Sequence, residues 1–310
     1  MISQVPVDMT AKKFAEKLSL TAFHTEEERL HFANSDVHRP GLQLAGFFDY
    51  FAAERLQVIG KAEMSYLSSL AEPERYRVLD RYFQHDIPAL VLCRGYQPLP
   101  EMLELAKAYH RPLFGSTWDT ARFVHLATSV LDIAMAPRIS MHGVLLDVHG
   151  VGVMLVGESG IGKSETSLEL VKRGHRLVAD DVVDITAFAD GQLIGKSPRL
   201  IRHFMEIRGI GIIDVKSLYG TGAVRMAKTI ELVIQLEDWD ENKEYERLGL
   251  DTLKMDILGV KVPQLILPVK PGRNLAIIVE VAARNFRQQK LGYSAAEEIE
   301  RRVTEEADDE

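Results

Sequence analysis

A chain of 310 residues with 46% hydrophobic and 26% charged residues has the composition of a globular protein of one large or two ordinary domains. Its formal charge of −8 is mostly a tail: residues 297–310 hold eight acids and two arginines, leaving −2 for the other 296 residues. That distribution favours solubility and argues against an acidic binding face, and net charge offers nothing to nucleic acid.

In chain order, MISQVPVDMTAKKFAEKL contains no uninterrupted apolar core of the signal-peptide type. Thr10 followed by AKKFAEKL predicts an N-capped helix with Phe14 and Leu18 one turn apart. EPERYRVLDRYFQ (72–84) and PEMLELAKAYH (100–110) read as helices, PALVLC (88–93) as a buried strand and RPLFGS as a short strand. Cys93, the only cysteine, falls in that buried strand and is expected in the core. A single cysteine excludes an intrachain disulfide and fits a reducing compartment. No run approaches the ~18 apolar residues of a membrane span, so a cytoplasmic protein is expected.

TWDTARFVHLATSVLDIAMA (117–136) has the helical period and stops at Pro137, whose ring pushes the preceding residue out of helical angles. A domain boundary is expected there, near 130–137, with a smaller α/β domain over 1–131 and a β-rich α/β domain over 132–310. In the second domain, GVLLDVHGVGVMLVG (143–157) alternates around His149-Gly150 and predicts a β-hairpin. RLVADDVVDITAF, GIGIIDV, TIELVIQL, QLILPV and LAIIVEVAA follow as strand-like runs, and a final helix is expected from about Asn285 into the acidic tail. Apolar strands alternating with helices place the whole chain in the α/β class.

Gly157-Glu158-Ser159-Gly160-Ile161-Gly162-Lys163-Ser164 satisfies the phosphate-loop pattern G-x-x-x-x-G-K-[ST]. Glycines are needed because backbone N–H groups must close around phosphate oxygens that a Cβ would obstruct. Lys163 is expected to reach the β/γ oxygens, and the Ser164 hydroxyl to ligate Mg²⁺. VGVMLV leads in as a strand and SETSLELVKR leads out as a helix ending at Gly174, so a helix dipole adds to the anion site. Two other nucleotide patterns fail: Gly150-Val151-Gly152 and Gly209-Ile210-Gly211 lack the third glycine of a dinucleotide fingerprint. Asn242-Lys243-Glu244-Tyr245 likewise lacks the acid of N-K-x-D.

Transfer of a phosphoryl group to an alcohol needs a proton acceptor and charge neutralisation around the phosphates. Asp180-Asp181 end the apolar run RLVA, at a strand end facing the loop, as a metal-linked acid, a base or a solvated turn pair. His142 opens the hairpin that feeds the loop and reads as structural or catalytic. Glu206, in RLIRHFMEIRGIGIID, either ligates a metal or pairs with Arg202 or Arg208. Arg247 and Lys270 to Arg273 supply cations on expected loops, and the planar guanidinium fork suits phosphate.

Together HGVLLDVHGVGVMLVGESGIGKSETSLELVKRGHRLVADD, MEIRGIGIIDV, ERLGLD, PVKPGRN and the earlier SDVHRPGLQLAGFFDYF resemble the bacterial HPr kinase/phosphorylase family over nearly the whole chain. The resemblance implies a C-terminal kinase core similar to phosphoenolpyruvate carboxykinase and assembly as a homo-hexamer. It implies His142, Lys163, Asp181 and Arg247 as catalytic residues, with Asp181 the base in one direction and the acid in the other. It implies Ser164 and Glu206 as Mg²⁺ ligands, Met205 to Asp214 as the family signature, and Pro268-Val269-Lys270-Pro271-Gly272-Arg273 as a segment serving dephosphorylation. The implied reaction uses ATP or pyrophosphate to phosphorylate a serine of HPr, the carrier of the sugar phosphotransferase system. Inorganic phosphate then removes that group as pyrophosphate, under control by a sugar phosphate such as fructose-1,6-bisphosphate. From the residues alone, a phosphate-loop kinase or phosphatase acting on a small molecule and a nucleotide-gated regulatory protein remain as other readings.

Overall fold

The computed structural model describes residues 5–26, 29–243, 253–270 and 272–308, and the chain divides into two compact units between Ala136 and Pro137. The first unit opens with β1 (Val7–Thr10), α1 (Ala11–Leu18), β2 (Thr21–His24), β3 (Arg29–Phe32) and β4 (Val37–His38). It continues with α2 (Gly41–Leu44), β5 (Leu56–Ile59), α3 (Lys61–Ser69) and α4 (Glu72–Phe83). β6 (Leu90–Leu92), α5 (Pro100–Ala108), β7 (Leu113–Gly115) and α6 (Thr120–Met135) complete it.

Five strands form a sheet in the order β2-β7-β6-β5-β4, with β4 to β7 mutually parallel and β2 antiparallel at one edge, while β1 pairs with β3. Every residue of β5, β6 and β7 is buried, as a parallel sheet covered on both faces requires. Phe14, Phe32, Phe114, Phe123 and Leu131 pack on one face; Leu67, Leu79, Phe83, Met102 and Leu105 pack on the other. Side-chain caps set the starts of α1 and α6. Thr10 Oγ1 accepts from Lys13 N at 3.2 Å, and Asp119 Oδ1 accepts from Arg122 N at 3.1 Å, each satisfying an N–H that its helix cannot. Cys93 is fully buried among the first cluster, as expected of it.

The second unit begins with β8 (Arg138–His142), β9 (Val144–Val148), β10 (Val151–Val156), α7 (Lys163–Lys172), β11 (Arg176–Ala179) and β12 (Val182–Ala187). β13 (Leu193–Lys196), β14 (Phe204–Ile207), β15 (Gly211–Asp214), α8 (Val215–Tyr219), β16 (Ala227–Thr229) and β17 (Leu232–Asp238) follow. β18 (Leu253–Ile257), β19 (Val260–Val269), α9 (Leu275–Lys290) and α10 (Ala295–Asp308) close it. A mixed six-stranded sheet runs β11-β9-β10-β17-β19-β18, a second sheet runs β16-β13-β12-β8, and β14 pairs with β15.

β10 lies inside the larger sheet, antiparallel to β9 and parallel to β17. Alternation sorts its side chains: Val151, Val153 and Leu155 join Leu170, Val171 and Val279 in one core, while Met154 and Val156 face Val183 and Ile185 of the second sheet. Helices therefore cover one face of the larger sheet and a β-sheet covers the other. The tight turn at His149 (φ 52°) and Gly150 (φ 87°) joins β9 to β10 as the hairpin signal predicts.

Two expectations are corrected. LAIIVEVAA is not a strand, and the helix expected from Asn285 begins ten residues earlier, as the first half of α9. Its β-branched run suits a strand by propensity, but Ala276, Val279 and Ala283 recur on one helical stripe and are buried. Asn274 Oδ1 caps the start by accepting from Ile277 N at 3.3 Å. RLVADDVVDITAF is also two strands rather than one, because the chain leaves one sheet and enters the other at Asp180-Asp181. Among the described residues, no helix is long and apolar enough to cross a membrane.

Candidate active site

β10 delivers the chain to Gly157, and the loop closes at Gly162, which has φ 99° and stands as the N-cap of α7. A glycine cap offers no side-chain acceptor, so the first N–H groups of α7 are left to an anion. Gly160 has φ 88°, a conformation that favours glycine, and a Cβ there would lie 2.9 Å from the guanidinium carbon of Arg208 and push that flexible end aside. Lys163 Nζ donates to the carbonyls of Gly157 at 2.9 Å and Glu158 at 2.7 Å, holding the loop's cation at its centre. Glu158, Ser159 and Ile161 fill the rest of the loop, and Arg208 Nη2 donates to Ser159 Oγ at 3.4 Å.

The two aspartates separate sharply. Asp180, at the end of β11, is buried; its carboxylate accepts from Ser164 Oγ at 2.9 Å and from Glu206 N at 3.3 Å. Burial pushes Asp180 up to about 6; those two hydrogen bonds oppose the rise and the Asp181 charge adds to it. Asp181 takes a left-handed conformation (φ 64°), which aspartate tolerates, and that rotation throws its side chain out to 72% exposure. His142 Nδ1 lies 3.6 Å from Asp181 Oδ1. Strand register sets this meeting: Val182 pairs with His142, and Gly143 N donates to Asp181 O at 3.0 Å.

Glu206, exposed on β14, shares a cavity of about 130 Å³ with Lys163, Ser164, Asp180, Asp181 and Arg208. Neither Arg202 nor Arg208 forms an ion pair with it, so the pairing alternative for Glu206 is not what the fold builds. A hydroxyl and carboxylates converging on one cavity are an oxygen-only donor set, the chemistry that hard divalent cations take. On the other side of the loop, Gly162, Glu165 and Thr166 line a more open cavity of about 800 Å³ with Asp238, Val269, Lys270, Gly272 and Arg273. There Lys270 Nζ sits 4.4 Å from the ring centroid of Trp239, and Arg273 Nη1 donates to the carbonyl of Pro268 at 3.3 Å. Gly162 lines both cavities. Arg247 and Pro271 lie outside the described residues.

Residues 133–303 match the family model of the HPr serine kinase C-terminal domain, and residues 5–131 match that of the HPr serine kinase N terminus. The chain belongs to the HPr serine kinase family. An HPr kinase/phosphorylase of Thermoanaerobacter sp. (strain X514) is 47% identical over 302 residues, covering 97% of this chain and 98% of the relative. Another, of Caldanaerobacter subterraneus subsp. tengcongensis, is 51% identical over 278 residues, covering 90% and 91%. The solved HPr(Ser) kinase/phosphatase of Coxiella burnetii is 40% identical, covers 50% of this chain and 94% of its own, and superposes with a TM-score of 0.47.

Two further residues join the constellation: Asp180, read from sequence only as one of a pair, and Arg208, read only as an ion-pair partner of Glu206. Asp180 ties Ser164 of the loop to β14, and only its greater depth than Asp181 distinguishes it. Arg208 closes over Gly160, and the signal for it was present: an arginine one residue before the glycine-rich GIG, in a segment already marked by Glu206. His142, Lys163, Asp181, Ser164 and Glu206 come together around the loop's first cavity, or directly beside it in the case of His142.

Proposed function

We propose that this enzyme transfers a phosphoryl group from ATP or pyrophosphate to a serine of HPr, and that with inorganic phosphate it removes that group as pyrophosphate. The proposal rests on the exposed carboxylate of Asp181 standing beside the phosphate loop, with His142 3.6 Å away. The names of the relatives, HPr kinase/phosphorylase, support both directions. In the forward direction the Asp181 carboxylate accepts the proton of the serine hydroxyl as oxygen attacks the terminal phosphorus. In the reverse direction the protonated Asp181 returns that proton to the serine oxygen as phosphate attacks, so the same atom serves both ways.

Lys163 and the N–H groups at the start of α7 bind and orient the phosphates. Arg208 adds charge over Gly160, and Lys270 and Arg273 meet the far end of a nucleotide. Ser164, Asp180 and Glu206 are the residues that would hold Mg²⁺, whose chemistry when bound is to offset phosphate charge. Because backbone amides grip phosphates and not a base, pyrophosphate suits the loop as well as ATP. Hexameric assembly and control by fructose-1,6-bisphosphate belong to the same reading and rest on the family resemblance.

Incubation with Mg-ATP and HPr is expected to give phosphoserine, and incubation of phospho-HPr with phosphate to give pyrophosphate. Asp181→Asn is expected to lower both rates by roughly 10²–10⁴-fold while nucleotide affinity changes little. ATP loss without phosphorylated HPr would instead favour a small-molecule acceptor. A variant whose pH–rate profile and rate match wild type would remove Asp181 from the proton-transfer role.

A further inference from the structure

Among the described residues, one group of side chains outside the phosphate site brings metal-ligand chemistry together: His149, His175 and Glu280, whose ligand-type atoms all lie within 4.8 Å of one another. They come from three different elements. His149 stands at the turn of the β9–β10 hairpin, His175 follows the glycine that ends α7, and Glu280 lies on α9. His175 is buried, and its Nε2 lies 2.8 Å from Glu280 Oε1. The two imidazoles meet edge to face with centroids 4.5 Å apart.

We propose that this cluster is a binding site for a zinc-type divalent cation, distinct from the magnesium chemistry of the phosphate loop. Two imidazoles and a carboxylate suit Zn²⁺, Co²⁺ or Ni²⁺ rather than Mg²⁺. Ligand atoms about 2.0–2.2 Å from a tetrahedral ion lie about 3.3 Å from each other, so atoms within 4.8 Å of one another have about 1.5 Å or less to close. Arg284 Nε donates to His149 Nε2 at 3.0 Å. A guanidinium cannot accept, so that nitrogen carries a lone pair directed out of the ring, the form in which histidine ligates. Arg173 Nη1 holds the other oxygen of Glu280 at 3.2 Å, orienting the carboxylate. On binding, the ion takes the lone pair of His149 from Arg284 and stands in place of the proton between His175 and Glu280, which shifts to His175 Nδ1 so that His175 ligates as a neutral ring. Half-exposed His149 keeps a fourth position open to water.

Arg284 is therefore a built-in competitor, exposed on α9 one turn beyond Glu280. The site links the strand that enters the phosphate loop, the helix that leaves it and α9, which begins at Leu275 beside the second cavity, so an ion there would brace the loop from behind.

The test titrates Co²⁺ into metal-stripped full-length protein in excess Mg²⁺, reading the visible spectrum and the melting temperature. One equivalent giving the intense bands of four-coordinate cobalt and a raised Tm is expected. His149→Asn, which tolerates the left-handed backbone, and Glu280→Gln are expected to weaken binding by about 100-fold or more. Arg284→Ala is expected to tighten it several-fold. Stripped variants with wild-type circular dichroism show that the fold is intact, and either ligand variant alone suffices. Weak six-coordinate spectra, unchanged affinity in the folded ligand variant, or weaker binding in Arg284→Ala would each overturn the proposal.

Discussion

Replacing Asp180 by asparagine separates what this residue does for the site from what it does to the fold. Burial raises Asp180 from an ordinary 3.8 to about 6, so at neutral pH the folded protein holds an ionised carboxylate against its preference. A rise of that size corresponds to about 3 kcal/mol of destabilisation at pH 7.5. Between pH 3.8 and 6 the folded state binds more protons than the unfolded chain, so stability falls as pH rises through that window and the whole penalty is present above it. Asparagine carries no such penalty. Its oxygen can accept from Glu206 N, and its amide can donate to Ser164 Oγ once that hydroxyl turns, at a loss of about 1 kcal/mol. The variant is expected to be more stable than wild type by about 2 kcal/mol at pH 7.5 and nearly equal to it at pH 4.5.

Urea unfolding in EDTA without nucleotide measures this, since a bound ligand would add its own stabilisation. A Trp118→Phe background leaves Trp239 as the single tryptophan, so fluorescence follows only the unit that contains Asp180. With a slope of about 2 kcal/mol/M, the midpoint moves up by about 1 M at pH 7.5. Phosphoryl transfer should meanwhile fall at least about tenfold, because the link between Ser164 and β14 loses its charge. A variant less stable at pH 7.5, or a difference identical at both pH values, would refute the reasoning.

Cys93 is fully buried and burial pushes its thiol up to about 12, so native protein at pH 8 is expected to resist a disulfide reagent that titrates one thiol in urea. Reaction of the native protein as fast as the unfolded one would contradict that placement. Asn274→Ala removes the cap of α9 and should lower the urea stability of the second unit by about 1 kcal/mol, with Asn274→Asp restoring most of it. No change in Asn274→Ala would mean that the helix start at Leu275 rests on packing alone.

Legibility in the sequence followed the range of the interaction concerned. GESGIGKS announced its loop because the constraint lies within eight consecutive residues: three glycines relieve sterics, and one lysine and one serine supply the polar groups. Thr10, Pro137 and Gly174 mark helix ends by equally short rules, and the His149-Gly150 turn marks its hairpin. LAIIVEVAA misled because a β-branched run carries the same local preference in a strand and in a half-buried helix. Its outcome depended on a face shared with Leu170 and Val171, about a hundred residues away.

Composition, the single core cysteine, the α/β alternation and the phosphate loop with its lysine and serine were all readable from the chain order of residues, since each expresses a local preference or a short spacing. The division of labour between Asp180 and Asp181 was not. Adjacent and chemically identical, they part because β11 pairs with β9 while β12 pairs with β8, so the chain must turn between two sheets at that point. That turn buries one carboxylate against Ser164 and exposes the other beside His142. The meeting of His149, His175 and Glu280 likewise needed three elements to pack together. Side chains a hundred residues apart become neighbours through strand register and helix packing, which no short window of sequence contains.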